Sequence, residues 1–565
     1  MLIPVILPSK KQCYKNNNER LISMSKMLSS SEAILTATAR MKEFVQQRVK
    51  TTMINVMDND IAECKIDGST DDYASLKAIV DYVNSIKVPV VLYFPYTGKP
   101  MMISNCIEIS RGDITLEIYC DITFTKSVFS TEESMTLFMF NKHKWSRKPI
   151  HNVNVIGNGI TIDGNGSAIT YEETVTTKEN NGECVQFKRV DGGLIKGVTF
   201  RNAFNDGLKL VHCRNILVDN CEFCYTCFDN GLTVMGMPVY TGGDYDGEAD
   251  KPWVYDDYDE GCKNYITINN CRAHHNKDVG IAVAVCRYVT VSNCVAYENG
   301  NADGFNSGGG FSHESLSITK YYENDMTWDN HVLFDNCTAS NNNNYGFYTD
   351  SKGTTYRGCI VDKTVQTDSS TYGRTKRGGA GFYISAKGTV NIEDVSVKNT
   401  DSYAILIFRA SSDEESNVKI DESTLENCSK GIYVYNVDDF YIKNTNMRNI
   451  DGGTFFMADG NAKSKVFIDT VNVHNSAACN LGNSKYFQMR NCFFESKQGL
   501  NIALEFYKIA NGIVKDNHVS KGVNTAYLTA FYISDNNESG LVIDTTCNTS
   551  NANKVINDAR TTATE

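Results

Sequence analysis

Ile216-Leu217-Val218-Asp219-Asn220-Cys221, Ile266-Thr267-Ile268-Asn269-Asn270-Cys271 and Val289-Thr290-Val291-Ser292-Asn293-Cys294 are three copies of one pattern. Apolar residues alternate with polar ones, which is the period of a strand. Each run then closes on Asn-Cys, and asparagine tolerates the left-handed backbone of a tight corner. A polar turn follows, and after it a second strand of the form Gly-apolar-x-apolar. Examples are Gly207-Leu208-Lys209-Leu210, Gly231-Leu232-Thr233-Val234, Gly280-Ile281-Ala282-Val283 and Gly381-Phe382-Tyr383-Ile384. Degenerate copies of the first strand begin at Val390, Val418, Phe440, Val466 and Phe487. Gly207 to Gly231 spans 24 residues, Gly280 to Gly304 also 24, and Val418 to Phe440 22. One such unit cannot bury its apolar face alone, so neighbours must stack. A period in the low twenties with short alternating strands and no helical segment predicts an all-β, single-stranded parallel β-helix. A leucine-rich repeat shares the period but needs leucine at fixed places, and these are absent.

The bulk composition agrees. The chain has 565 residues, 41% hydrophobic and 22% charged, enough to bury a core and remain soluble. Its net charge of −12 and lack of a basic stripe exclude nucleic acid as a partner. No apolar run reaches the length of a membrane span, so membrane insertion is not expected. Cysteine numbers 19 and recurs as Asn220-Cys221, Asn270-Cys271, Asn293-Cys294, Asn336-Cys337, Asn427-Cys428 and Asn491-Cys492. Equivalent points of successive repeats do not make a disulfide framework. They suit buried free thiols acting as small apolar side chains, formed in a reducing compartment. Leu2 to Leu7 is broken by Pro4, precedes Pro8 and lacks a basic region before it, which makes a poor secretory signal.

Outside the repeats, residues 1–20 are irregular. From Leu21 to about Met53 apolar residues fall at helical spacing, which predicts a helix pairing with copies of itself, and residues 21–66 are read as a neck. Asp67-Gly68-Ser69-Thr70-Asp71-Asp72 ends in N-cap chemistry, Tyr73 to Ile86 reads as an amphipathic helix, and Val90-Val91-Leu92-Tyr93-Phe94-Pro95 as a buried strand. Residues 67–150 hold this helix and the first coils, and residues 151–535 the main stack. Residues 536–565 show no convincing repeat.

Insertions in a solenoid mark its working face. Three are expected, at 236–262, 308–330 and 362–379, all leaving the same side to wall a groove. The first carries Asp246, Glu248, Trp253 and Tyr255; the second Phe311, His313, Glu314, Tyr322 and Trp328; the third Arg374 and Arg377. Asp246, Glu248, Trp253, Tyr255, Tyr322, Trp328, Arg374 and Arg377 are the candidate binding residues. Aromatic faces would cover sugar C–H groups and charged groups would bond hydroxyls. One or two positions before the glycines stand Asp206, Asp229, Asp278 and Asp303, a carboxylate column with members about 5 Å apart. Paired carboxylates at such spacing serve glycosidic bond hydrolysis, and crowding raises the pKa of one. His275, and Glu298 one coil later, border the column and are further catalytic candidates.

The capped helix running into Val90–Pro95, the coils from about Asn152 to Ser534 and the poor signal together resemble bacteriophage tailspikes with a pectate-lyase-like right-handed parallel β-helix. The resemblance implies a capsule or O-antigen depolymerase and a homotrimer. It implies attachment to a phage tail or another tail fibre through residues 1–20, and action outside the cell after assembly in the host cytoplasm. Bacterial surface polysaccharide is the implied partner, with a polysaccharide lyase or a non-catalytic adhesin as alternatives. Asn301-Ala302-Asp303-Gly304-Phe305 is similar to a segment of a calcium-dependent pectate lyase family whose aspartate binds calcium. The stretch expected to carry that family's paired aspartates reads Asn343-Asn344-Tyr345-Gly346-Phe347-Tyr348, without carboxylates. Calcium therefore enters only through Asp303, and otherwise no cofactor or metal is expected.

Overall fold

The computed structural model describes residues 51–129, 134–141, 149–171, 182–236, 264–300, 308–315, 331–365, 378–385, 388–409, 415–457, 463–522, 527–537, 540–544 and 548–561. Every strand-to-strand ladder among them is parallel, and each strand pairs with its equivalent one coil away. The Gly-strands form one face. Its inward ladder runs Val185, Leu208, Leu232, Ile281, Phe311, Phe347, Phe382, Ile405, Ile432 and Phe455. It continues through Cys479, Leu504 and Phe531 to Ile556. The Asn-Cys strands form the second face, with Val218, Ile268, Val291, Phe334 and Tyr356 inward. Short strands after the cysteine, such as Arg272–His274, form the third face.

The core is one continuous cluster of inward side chains from all three faces. Like residues stack on like. The rings of Phe311, Phe347 and Phe382 lie parallel, with centroids 4.9 and 5.0 Å apart. Close coil spacing explains the glycines. A Cβ on Gly280 would stand 2.8 Å from the Gly310 carbonyl oxygen, and one on Gly310 2.6 Å from that of Gly346.

The corners follow the sequence. Asn220, Asn270, Asn293, Asn336, Asn427 and Asn491 all have positive φ, between 53° and 56°. A second, buried asparagine ladder joins the third face to the Gly-strands. Asn276 Nδ2 donates to Asn299 Oδ1 at 2.9 Å, and Asn299 Nδ2 to Asn342 Oδ1 at 3.0 Å. Asn299 also takes the Asn276 amide and donates to the Ala273 carbonyl. The cysteines after the corner asparagines are free and buried. Cys294 Sγ bonds the Ser292 carbonyl at 3.2 Å and reaches the Ile268 carbonyl of the previous coil at 3.8 Å. Burial pushes the Cys271, Cys294 and Cys337 thiols well above their ordinary pKa, which keeps them unreactive.

Several expectations are corrected. Thr52–Asn55, inside the neck read over 21–66, is a strand pairing with Val90–Tyr93, so the stack begins there. The remainder of the neck, and residues 1–20, lie outside the described residues. The helix spans Tyr73–Ser85 and buries Leu76, Ile79, Val80 and Val83 in the common core. Asp72 makes no side-chain cap; its carboxylate instead takes the amides of Lys65 and Ile66 at 2.6 and 3.0 Å. Residues 536–565 are not outside the repeat: Gly540–Ile543 and Lys554–Asp558 pair with the coil before them. Finally, Gly304 is not the repeat glycine of its coil. Gly309–Glu314 is the Gly-strand, Phe311 pairs with Ile281, and Phe311 and His313 are core residues rather than loop residues.

Two outcomes test this packing. Replacing Asn299 with Ala strips partners from buried amide groups of three residues, and a loss of about 2–3 kcal/mol is expected. An unchanged urea midpoint would show that the ladder contributes nothing. In the native protein the fourteen buried cysteines among the described residues should resist a thiol-specific reagent, and become reactive in denaturant. Rapid native labelling of Cys294 would contradict the ladder.

Candidate functional site

The outward side chains of the Gly-strand face come from the x position of Gly-apolar-x-apolar. They run Gln186, Lys209, Thr233, Ala282, Ser312, Tyr348 and Tyr383. The inserted segments meet both borders of this face. Residues 237–263 and 316–330 join a Gly-strand to the next Asn-Cys strand. Residues 301–307 and 366–377 instead precede a Gly-strand, following Val295–Tyr297 and Ile360–Val365. The expectation that all insertions leave one side is thus corrected: two follow a Gly-strand and two precede one.

On this face, beside Gln186 and Lys209, lies a charged cluster. Lys209 Nζ meets Asp206 Oδ2 at 2.8 Å and Glu183 Oε1 at 3.2 Å. Both carboxyls are buried. Thr136 Oγ1 donates to Glu183 Oε2 at 2.6 Å, Thr233 Oγ1 donates to Asp206 Oδ1, and Asn230 Nδ2 donates to Thr233 Oγ1 at 3.0 Å. Burial alone would lower the Lys209 pKa, but Asp206, Glu183 and Asp229 hold the ammonium well above its ordinary value. Burial raises Glu183, with Asp206 adding to it and Lys209 opposing. Burial also raises Asp229 well above a normal aspartate, reinforced by Asp206, Asp278 and Glu314 against the pull of Lys209. One ammonium faces several carboxylates here, which favours the protonated form of Asp229.

The carboxylates do not form a single column. The Asp278 amide bonds the Asp229 carbonyl at 3.3 Å, so these two are stacked equivalents. The Gly207 amide bonds the Asn230 carbonyl, which puts Asp206 level with Asn230, one position on. Gly308 is the next member after Asp278, its ideal Cβ position lying 3.0 Å from the Asp278 carbonyl oxygen. Asp303 therefore does not continue the column by register, and it lies outside the described residues. So do Asp246, Glu248, Trp253, Tyr255, Tyr322, Trp328, Arg374 and Arg377.

Further along the face stand Glu314 and Asp350, both raised by burial, with Asp350 adding to the shift of Glu314. Tyr348, also raised by burial, and Tyr383 have ring centroids 5.3 Å apart and pack on Val279, Ala282 and Tyr345. The face thus offers an acidic patch and an adjoining aromatic surface. Lys209, Thr233 and Tyr383 stood in the quoted strands at the x position, which points away from the core, and Tyr348 holds the same place in Gly346-Phe347-Tyr348. Reading those positions together would have found them. Glu183 carried no such signal.

His275 and Glu298 lie at successive corners after the third face, with φ of 56° and 55°. His275 Nε2 meets Glu298 Oε2 at 2.9 Å, and His274 Nε2 meets Glu222 Oε1 at 3.1 Å. They form a cluster of their own, and no ion pair links it to Lys209. Among the described residues no group of three or more His, Cys, Asp or Glu is arranged to hold a metal, and no helix is long and apolar enough to cross a membrane.

The raised pKa of Asp229 has a measurable consequence. A carboxyl whose pKa is raised by folding contributes most to stability below its unfolded value near 3.8, and that contribution is lost as pH rises through the folded pKa. Asp229→Asn removes the titration. Its stability relative to wild type should rise as pH is raised above about 4. A pH-independent difference would mean that Asp229 ionises normally.

The family model for the right handed beta helix region matches residues 142–315, 183–361 and 258–414, which together span just under half of the chain. No curated protein sequence matches the chain. Among solved structures, the chain is similar to ORF18 of Geobacillus virus E2, at 12% identity and a TM-score of 0.30, covering 86% of this chain and 64% of that one. It therefore spans less than two thirds of the length of that protein. It is also similar to pre-mature bacteriophage phi29 gene product 12, at 13% identity and TM-score 0.44, covering 92% and 75%. The tailspike protein of E. coli bacteriophage HK620 is similar at 12% identity and TM-score 0.42, covering 89% and 81%. With parallel pairing throughout and three overlapping family matches, residues 142–414 are a right handed β-helix region, and the same coil runs from Thr52 to Asp558.

Proposed function

We propose that this chain is a phage tailspike depolymerase that hydrolyses internal glycosidic bonds of a bacterial capsular polysaccharide or O-antigen. The observation that carries the reading is Asp229, raised by burial and by neighbouring carboxylates and stacked one coil before Asp278. A protonated carboxyl can protonate the leaving glycosidic oxygen, and a second carboxylate close by can attack the anomeric carbon or activate water. Coils stack about 4.8 Å apart, which fits the closer, retaining arrangement. Asp229 is then the acid and Asp278 the nucleophile. Glu183 and Asp206 are taken up by Lys209, Thr136 and Thr233, and they set the field that favours the protonated form of Asp229. Tyr348 and Tyr383 supply a ring surface for the sugar chain.

The same charges favour hydrolysis over β-elimination. A lyase must bind a uronic acid and offset its carboxylate with cations. Here Glu183, Asp206, Asp229, Asp278, Glu314 and Asp350 share the face with Lys209, which favours a neutral or amino-sugar segment beside them. The reaction proposed uses no cofactor. A homotrimer completes the reading, joined to the virion tail through residues 1–20 by a helical neck that ends before Thr52. Buried free thiols suit assembly in a reducing host cytoplasm.

Purified protein incubated with capsules and O-antigens from a bacterial panel should shorten a susceptible polymer without creating an ultraviolet-absorbing unsaturated end. Asp229→Asn and Asp278→Asn should each slow the cut by about 100-fold or more while leaving binding intact. An unsaturated product would replace the hydrolase with a lyase. A polymer that binds and stays whole would make the protein an adhesin. Full activity in both variants would move the chemistry elsewhere.

A further inference from the structure

The histidine cluster of the third face has a geometry that acid–base chemistry on sugar does not explain. His274 is largely buried in its strand, and His275, 38% exposed, turns the corner after it. Their Nδ1 atoms face one another at 2.9 Å. Each opposite nitrogen meets a carboxylate: His274 Nε2 with Glu222 at 3.1 Å, His275 Nε2 with Glu298 at 2.9 Å. A carboxylate accepts and an Nε2–H donates, so where both rings are neutral each Nδ1 is left bare. Two bare lone pairs at this distance repel unless a cation lies between them.

The rings are also clamped. Tyr297 stacks on His274 with centroids 4.7 Å apart, and Tyr225 on His275 at 4.9 Å. A histidine that donates its far N–H to a carboxylate, in a fixed orientation, is the arrangement that supports metal ligation. With metal–nitrogen bonds of about 2.0–2.1 Å, a separation of 2.9 Å gives an angle of about 90° at the metal. Tetrahedral zinc would spread the nitrogens to about 3.3 Å. A right angle suits cis positions of a tetragonal or octahedral ion. Charge points the same way. Glu222 and Glu298 give the pair a negative surrounding, offset in part by Arg201 and Arg272.

We propose that the Nδ1 atoms of His274 and His275 bind one divalent transition-metal ion of the nickel or copper class, with water filling its other positions. The ion enters past the exposed His275 and Glu298. It ties together three successive coils, because Glu222, the histidines and Glu298 belong to adjacent turns of the stack. The site is separate from the Asp229–Asp278 pair and does not depend on the function proposed for it.

The test is calorimetric titration of tag-free full-length protein with Ni²⁺ in a non-coordinating buffer, together with the melting temperature with and without Ni²⁺. Wild type should take up one ion at this site and melt higher with it. His275→Asn keeps a residue suited to the left-handed corner and should abolish that uptake. Glu298→Ala, at an exposed side chain, should weaken it about tenfold to 100-fold. His151→Gln, a histidine beside Asp191, should leave it unchanged. If His275→Asn does not fold, Glu298→Ala carries the test. No uptake by wild type, or equal uptake by His275→Asn and Glu298→Ala, would overturn the proposal and leave a shared proton between the rings.

Discussion

Hydrogen bonding between equivalent strands of neighbouring coils is the constraint on which everything else depends. Once the backbone of one coil is bonded to the next, each side chain must lie against its own equivalent. An inward phenylalanine then meets a phenylalanine, as in Phe311, Phe347 and Phe382. A corner asparagine meets a corner asparagine, and a thiol a thiol. Residues that pack or bond with copies of themselves are favoured, which is why small apolar thiols, planar rings and amides recur.

The same rule turns unfavourable for charge. Stacking places carboxylates against carboxylates, and burial removes the water that would screen them. Glu183, Asp206 and Asp229 surround Lys209 on the Gly-strand face, and the imbalance raises the pKa of Asp229. Further along the third face, corner residues set a histidine beside a glutamate. A solenoid builds charged clusters by repeating a position and changing its residue.

Much of this was legible before any coordinates. Alternation, Asn-Cys corners and the period fix two strands per coil, an inward set and free cysteines, since these follow from local backbone preference and the need to bury apolar side chains; the short third strand, such as Arg272–His274, lay in what read as a polar turn. The carboxylates at 206, 229 and 278 were found because they precede the repeat glycines. Their exact relation was not. Asp206 stands one position before its glycine and Asp229 two before its own, and a single residue decides which neighbour a side chain meets. Glu183 was invisible because its partner Lys209 belongs to the next coil.

The sequence by itself determined the repeat, the core pattern, the corner chemistry and the acidic character of one face. The tertiary structure decided the register. Gly304-Phe305 and Gly310-Phe311 both satisfy the local pattern, and only stacking of Phe311 between Ile281 and Phe347 selects the second. That choice shifts the insertions, takes Asp303 out of the column and puts His313 in the core. Local rules are degenerate over six residues; inter-coil hydrogen bonds and ring stacking are not, because they must be met on both sides of the coil at once.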